Sequence, residues 1–172
     1  MVNVLSVVPY KIFPAKLGGQ KGIALFNSFF SKYVNLTCLT VTTNDPAFAN
    51  YPVKNLLPDN PSRYYNVFSF FLFKRIIQEQ AITHVIIEHP YLGWMGILLQ
   101  RFCNVKLIIH SHNIEALRFK SVGKWWWNNL WHYEKFVHQQ ADFTFNITHE
   151  DRELMLHYYH LKPERCAVIT YG

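Results

Sequence analysis

Short apolar segments recur along the chain, and most are followed by a segment with helical periodicity. Residues 2–8 (VNVLSVV) are apolar and β-branched, which is typical of a strand covered on both faces. Strands that alternate with helices form a mainly parallel, doubly wound sheet with helices on both faces. We therefore expect an α/β domain of six or seven strands. The predicted strands are 2–8, 36–43, 83–89, 105–112, 142–148 and 166–170, and the predicted helices are 22–33, 67–80, 91–103, 124–141 and 149–159.

The proline-rich segment 44–66 is expected to be a long loop that holds at most one short strand. The chain has 172 residues, half of them hydrophobic, which suits one domain with a substantial core and excludes a disordered chain. The longest uncharged apolar run, 91–99, is far shorter than the roughly 20 residues of a membrane-spanning helix. No signal peptide is apparent, and three widely spaced cysteines suit reduced thiols, so we expect a cytoplasmic protein.

The formal net charge is +6. A net positive charge of this size attracts phosphate-bearing partners such as nucleotides or phospholipid headgroups. The Lys and Arg residues are nevertheless scattered, with no basic run, so an ordinary soluble surface explains the charge equally well. No nucleic-acid partner is expected.

Polar side chains follow two of the predicted strands at the point where each strand ends. His110, His112 and Asn113 end the strand 105–112, and Glu88 with His89 end the strand 83–89. The carboxyl ends of strands hold the ligands of parallel α/β sheets, so these side chains are expected to face one crevice. A histidine and a carboxylate there can perform acid–base chemistry, although solvated loop residues are the commoner explanation of such a pair.

The spacing of His110 and His112 places both side chains on one face of a strand, so a metal site must be weighed. Metal-dependent hydrolases with this pattern need further ligands at later strand ends, where this sequence offers only His149 and Asp151. We therefore predict no metal. His112 with Asn113 is interpreted instead as a hydrogen-bonding pair directed at a polar ligand.

Gly18 and Gly19 precede the first predicted helix. Adjacent glycines there allow a backbone to approach an anionic ligand, and a plain tight turn is an equally good interpretation. In the tryptophan-rich segment 124–141, the stripe formed by Trp126, Leu130, Tyr133 and Val137 is expected to pack in the core. Trp125 and Phe136 lie off this stripe. With Lys120 and Lys124 nearby they could rest on a membrane surface, although core packing is favoured.

Together these segments resemble the N-terminal domain of a GT-B glycosyltransferase of the family 4-like group. The resemblance covers nearly the whole chain, and its strongest part is HSHNIEALRF (110–119), which is close to the family's HN-x-E segment. The other matching segments are Gly18-Gly19, THVIIEHP (83–90), YEKFVHQQADFTFNITHEDRELM (133–155) and CAVITYG (166–172).

The resemblance implies that residues 1–172 form the acceptor-side, Rossmann-like half of an enzyme whose C-terminal, donor-binding domain lies outside this sequence. Such an enzyme transfers a sugar from a UDP- or GDP-sugar to a hydroxyl of a sugar or lipid-linked acceptor. Configuration is retained and neither metal nor cofactor is needed. The resemblance further implies surface polysaccharide or glycan synthesis in the cytoplasm or at the inner face of the membrane, and an isolated half that is inactive.

The resemblance also assigns roles to single residues. His112 would be the catalytic residue that reaches the transferred sugar, with Asn113 and Glu115 shaping its loop. The other expected substrate-binding residues are Gly18 and Gly19 at the donor diphosphate or the acceptor, Glu88, His89 and His110 in the crevice, and Glu150 or Asp151 on the acceptor side.

Two other functions stay open. A GT-B-like sugar-nucleotide epimerase would share this half of the fold. A stand-alone, non-catalytic nucleotide-binding module of the flavodoxin-like kind would suit the length, although it needs an anion-binding loop of its own. Whether the natural reading frame continues past Gly172 distinguishes these possibilities most cheaply.

Overall fold

A computed structural model describes residues 1–170, which form a seven-stranded sheet. Every pair of neighbouring strands is parallel, and the spatial order is β3-β2-β1-β4-β5-β6-β7. The predicted doubly wound α/β fold, with six or seven parallel strands, is therefore confirmed. The strands are β1 (Asn3–Val7), β2 (Asn35–Val41), β3 (Val53–Leu57), β4 (His84–Glu88), β5 (Lys106–Ser111), β6 (Phe143–Asn146) and β7 (Cys166–Val168).

Helices cover both faces of the sheet. Phe73, Met95 and Val137, from three different helices, pack with the side chains of one face, and Ile23 and Phe26 of the first helix pack on the other. The α-helices are α1 (Gly18–Phe30), α2 (Ser69–Glu79), α3 (Gly93–Cys103), α4 (Glu115–Ser121), α5 (Trp127–Gln140) and α6 (His149–Tyr159). Short 3-10 turns lie at Pro46–Phe48, Pro61–Tyr64, Pro90–Leu92 and Pro163–Arg165.

Three helices depart from the sequence-based expectation. Helix α1 begins at Gly18, so the two glycines are its first residues rather than a turn that precedes it. Helix α5 begins only at Trp127, because the residues before it form the turn that follows α4. Helix α4 itself was not predicted. The segment 44–66 does hold one strand, β3, which is the seventh strand of the sheet.

The tryptophan-rich segment divides between the core and the surface, so core packing is confirmed for Val137 and Tyr133 and was wrong for Trp125 and Phe136. Val137 is fully buried and Tyr133 packs against the same core cluster. Trp125, in contrast, is 85% exposed and Phe136 is 51% exposed, so neither packs in the core. No α-helix within residues 1–170 combines the length and the apolar character needed to cross a membrane.

Candidate functional site

The strand ends that the sequence singles out lie side by side. Strands β1, β4 and β5 are neighbours in the sheet, and β1 is also the point from which the strand order runs in both directions. Tyr10 follows β1, Glu88 ends β4, and His110 and His112 lie at the end of β5. Because all three strands are parallel, these side chains meet at one edge, which is where open α/β sheets hold their ligands.

The centre of this edge is a buried carboxylate between two histidines. Nε2 of His112 lies 2.7 Å from Oε2 of Glu88, and Nδ1 of His110 lies 3.0 Å from the same oxygen. Glu88 and His110 are fully buried, and His112 is 4% exposed. The alternation of side chains along β5 explains the arrangement, because His110 and His112 fall on the same face of the strand.

Glu88 is held in its charged form. Burial alone would raise the pKa of its carboxyl, but the attraction of His110 and hydrogen bonds to both histidines outweigh burial and lower the pKa to about 2. An ionised carboxylate only accepts hydrogen bonds. The ring nitrogens that face Glu88 must therefore carry protons, which fixes the orientation of both imidazoles.

These three residues are also the group best placed to hold a metal ion. Their ligand atoms lie within 4.8 Å of one another, and two imidazoles with a carboxylate suit Zn²⁺, which requires a fourth ligand. The side chains instead satisfy one another directly, through the short contacts to Glu88. The expectation of a metal-free site stays a prediction.

His89 adds a second histidine–carboxylate pair above the first. Its ring stacks on His112 with centroids 4.4 Å apart and an angle of 22° between planes. Nε2 of His89 is 2.9 Å from the hydroxyl of Tyr10, and its Nδ1 is 3.2 Å from Oε1 of Glu115, an ion-pair distance without good hydrogen-bond geometry. His89 reaches this position with a backbone φ of 61° and ψ of 157°, a conformation that favours glycine.

Glu115 connects this pair to helix α4. Its Oε2 accepts hydrogen bonds from the hydroxyl of Tyr91 at 2.5 Å and from Nε of Arg118 at 2.8 Å. Burial would raise the pKa of Glu115, but the contacts with His89, Tyr91 and Arg118 lower it to about 2. A chain of charged and polar groups thus runs from the buried Glu88 to the half-exposed Arg118.

Glu134 holds the loop that carries these residues. This carboxylate on α5 accepts hydrogen bonds from the backbone N–H groups of Glu115 (3.1 Å) and Ala116 (3.0 Å), the first residues of α4. It therefore caps a helix that has no side-chain cap of its own. Burial and the nearby charge of Glu115 raise the pKa of Glu134 to about 7, although the two N–H groups oppose the change.

The sequence analysis missed Tyr10, Tyr91, Arg118 and Glu134. Only Glu134 carried a usable signal, because it is the one acid on the buried stripe of α5 that also includes Val137. Tyr10 and Tyr91 contribute through contacts between distant parts of the chain, which no local pattern reveals. Arg118 pairs with Glu115 three residues earlier, but that pair lies on helix α4, which was not predicted.

The remaining predicted residues lie around the cluster rather than in it. Asn113 is exposed, and its carbonyl accepts a hydrogen bond from Ser111. Glu150 is exposed, whereas the backbone N–H of Asp151 donates to Thr148, the N-cap of α6. The Thr148 hydroxyl also donates to Oδ2 of Asp151, so the Asp151 side chain takes part in this cap. A role on the acceptor side stays a prediction for both acids.

Gly18 and Gly19 are exposed at the N-terminus of α1, after the same strand as Tyr10. A Cβ added at either glycine would meet no atom within 4 Å, and neither has a positive φ. Neither packing nor backbone conformation within the described residues therefore requires glycine there.

An aromatic pocket of about 360 Å³ adjoins the cluster. It is lined by Tyr64, Tyr91 and Tyr133. Their hydroxyls are hydrogen-bonded to Pro9, Glu115 and the backbone of Pro90 respectively, which leaves the rings as the pocket walls. Such walls suit the apolar face of a sugar or of another flat group.

One protein family and several solved structures match the chain. Residues 31–172 match Glycosyltransferase Family 4. Sucrose-phosphate synthase from Thermosynechococcus elongatus superimposes with a TM-score of 0.74 at 13% identity, over 100% of this chain and 48% of that one. Alr3699/HepE from Anabaena, solved in complex with UDP, superimposes with a TM-score of 0.69 at 12% identity, over 100% and 44%.

The same fold occurs in an epimerase. UDP-N-acetylglucosamine 2-epimerase from Rickettsia bellii superimposes with a TM-score of 0.64 at 9% identity, over 98% of this chain and 44% of that one. No curated protein matches the chain. The chain thus spans about half the length of these solved structures. At such low sequence identities, the superpositions show that the fold is shared and nothing further.

Proposed function

The chain belongs to glycosyltransferase family 4, and on this premise we propose that it is the acceptor-side, N-terminal half of a retaining glycosyltransferase. A second, donor-binding domain supplies a UDP- or GDP-sugar. The bond between the anomeric carbon and the nucleoside diphosphate breaks, and a bond to the acceptor oxygen forms on the same face of the sugar. The proton of the acceptor hydroxyl passes to the departing diphosphate. The observation that carries the proposal is the histidine–carboxylate cluster at the ends of β1, β4 and β5.

His112 contacts the transferred sugar in this proposal. Glu88 fixes the orientation of its ring through the 2.7 Å contact, and the stacked ring of His89 supports the other side. A polar group held in place before the reaction stabilises charge that develops in an oxocarbenium-like transition state. Loss of one such group typically costs about 3 kcal/mol, or roughly a hundredfold in rate.

The acceptor occupies the aromatic pocket of Tyr64, Tyr91 and Tyr133. Sugar rings stack their C–H faces on aromatic side chains, and Tyr91 also connects the pocket to Glu115. A hydroxyl-bearing sugar or lipid-linked acceptor would thus lie beside the cluster. The product would be a surface polysaccharide or another glycan.

Two substitutions of His112 test the catalytic role in the enzyme that carries both domains. His112→Gln keeps a side-chain N–H that can face Glu88, whereas His112→Ala leaves this buried carboxylate with one histidine fewer. We expect both variants to lower kcat about a hundredfold and His112→Gln to keep the melting temperature. Normal turnover in His112→Gln would contradict the catalytic role. A melting temperature that falls together with the activity would contradict it as well. His132→Gln, at an exposed position on α5, is the matched control.

The epimerase is the second candidate, since the same half-fold occurs in the Rickettsia bellii enzyme. The family match favours transfer. The two reactions differ in their products, because a transferase releases the nucleoside diphosphate only when an acceptor is present, whereas an epimerase alters the sugar without one. Chromatography of a labelled UDP-sugar, with and without acceptor, decides between them.

Micromolar binding of a nucleotide sugar by residues 1–172 alone would instead favour the stand-alone module.

The turn between α4 and α5 is proposed to contact the inner face of a membrane. Val122 (60% exposed) and Trp125 (85%) lie on it, next to the exposed Lys120 and Lys124. Indoles favour the membrane interface and lysines favour anionic lipids. Trp125→Ala should reduce co-sedimentation with vesicles of phosphatidylglycerol, and Phe136→Ala should not. Equal binding by Trp125→Ala and the wild type would exclude this contact.

A further inference from the structure

A second cavity lies at the opposite edge of the sheet from the histidine cluster. Its volume is about 520 Å³, within the range of about 300–1,000 Å³ that small-molecule sites occupy. Asn3 and Asn35 begin β1 and β2, Asn50 precedes β3, and Gln80 precedes β4. Because these strands are parallel, the cavity lies at the amino ends of the strands, where the ends of α1 (Ser31) and α2 (Gln80) also line it. The candidate active site lies at the carboxyl ends.

Four carboxamides give the cavity its polar character, and they divide into two kinds. Asn3 is engaged within the protein, since its Nδ2 donates to the carbonyls of Gln80 and Ala81 and its Oδ1 accepts from Nδ2 of Asn35 at 2.8 Å. These bonds fix the position of both asparagines. The side-chain amides of Asn50 and Gln80, in contrast, make no hydrogen bond with any other residue within 1–170.

Gln80 is half-buried and lines the cavity, with its Oε1 enclosed by protein rather than facing the open volume. Its Oε1 is buried and accepts no hydrogen bond from the described residues. Thr37, 7% exposed, adds a hydroxyl to the same lining.

The lining has no charge. Among residues 1–170, no Lys, Arg, Asp or Glu side chain lines the cavity. A phosphate or carboxylate would lose its water there without gaining a cation, which is unfavourable. A ligand with many hydroxyls, in contrast, both donates to and accepts from carboxamides. Tyr51, Pro52 and Ile82 supply apolar surface for the C–H faces of such a ligand.

We propose that this cavity binds an uncharged saccharide. The site is separate from the reaction edge, so it would hold a second part of a glycan or a regulatory sugar rather than the sugar being transferred. The inference goes beyond the proposed function, and it stands on the lining of the cavity whether or not the chain belongs to a transferase.

The test is a titration of the ¹⁵N-labelled chain with three neutral probes: maltotriose, cellotriose and N,N′,N″-triacetylchitotriose. We expect at least one probe to give saturable shifts at the amides of Thr37, Asn50 and Gln80, with a dissociation constant in the millimolar range or tighter. Asn50→Asp and Gln80→Glu replace an amide donor with a charge and should weaken that binding at least tenfold. Asn129→Asp, an exposed change on α5, should leave it unaltered.

Three results would overturn the inference. The first is the absence of saturable shifts at these amides for all three probes. The second is shifts with UDP or glucose 6-phosphate as large as those with the neutral probes, which would show an anion site. The third is saccharide shifts confined to residues around His112 and Tyr91, which would assign the saccharide to the acceptor pocket. That last result would support the proposed function while removing the second site.

Discussion

The imidazole rings of His89 and His112 lie face to face, 4.4 Å apart, and each ring is paired with a different carboxylate. His112 contacts Glu88 inside the sheet edge, whereas His89 contacts Glu115 at the start of α4. Two histidine–carboxylate pairs from consecutive strands therefore act as one unit. Substitution of either carboxylate should therefore alter the orientation of both rings.

The first prediction concerns stability in acid. The pKa of Glu88 in the folded chain, about 2, lies below its ordinary value of 4.5, so folding favours the charged carboxylate. Its contribution should be complete above pH 4.5 and be lost as the pH falls toward 2. Glu88→Gln should remove this part of the pH dependence. Urea unfolding followed by circular dichroism at several pH values measures the free energy of unfolding. If that free energy depends on pH in the same way in Glu88→Gln and the wild type, Glu88 is not the group responsible.

Glu134 should act in the opposite direction. Its folded-state pKa of about 7 lies above the ordinary 4.5, so its contribution is complete below pH 4.5 and is lost as the pH rises through 7. Glu134→Gln should be less sensitive than the wild type between those values. The free energy of unfolding is measured against pH for both proteins. The difference between the two curves gives the contribution of Glu134 alone, because the histidines are the same in both. Identical profiles would mean that the two N–H groups of α4 keep Glu134 charged.

Backbone strain at His89 gives a third prediction. With φ at 61° and ψ at 157°, this position suits glycine better than any residue that has a Cβ. His89→Gly and His89→Ala lose the same side-chain contacts, so their difference reports the backbone. We expect His89→Gly to be the more stable variant by about 1 kcal/mol, the reverse of the usual order. Equal or reversed stabilities would show that the conformation relaxes in the variants.

The glycines of α1 and α3 should respond differently to alanine. Gly19→Ala adds a Cβ that meets nothing within 4 Å, so the helix should gain up to about 1 kcal/mol. Gly96→Ala brings a Cβ to 2.5 Å from Leu107 and should cost about 1–3 kcal/mol. If Gly19 lies at the donor diphosphate, Gly19→Ala should also raise the KM for the nucleotide sugar in the two-domain enzyme. A gain in stability with an unchanged KM would leave the glycine without a ligand-binding role.

The strand ends could be predicted because they depend on short-range patterns and one general rule. His110 and His112 alternate along an apolar strand, Glu88 ends another, and parallel sheets bring such ends to one edge. The contact between Glu88 and both histidines required only that β4 and β5 be neighbours, as they are.

The rest of the site depends on contacts that local patterns do not show. Helix α4 has no side-chain cap of its own, and its start is held by Glu134 on the following helix. Gly18 and Gly19 were expected to precede the first helix, either as a tight turn or as a loop that approaches a ligand. Helix α1 instead begins at Gly18, with the side chain of Gln20 accepting from the backbone N–H of Leu17. Nothing in the sequence around His89 signals its positive φ or the hydrogen bond that its backbone N–H donates to the carbonyl of His110 on the neighbouring strand.

The central position of β1 affects how the chain is made. Val4 pairs with Leu36 on one side and with His84 on the other, so this strand needs a partner from much later in the sequence. The ribosome makes β1 before β4, and one edge of this largely apolar strand stays open until β4 has emerged. Exposed apolar edges recruit chaperones or aggregate, and pairings between distant segments form slowly. The strand that organises the whole sheet is therefore also the segment of the nascent chain most dependent on protection.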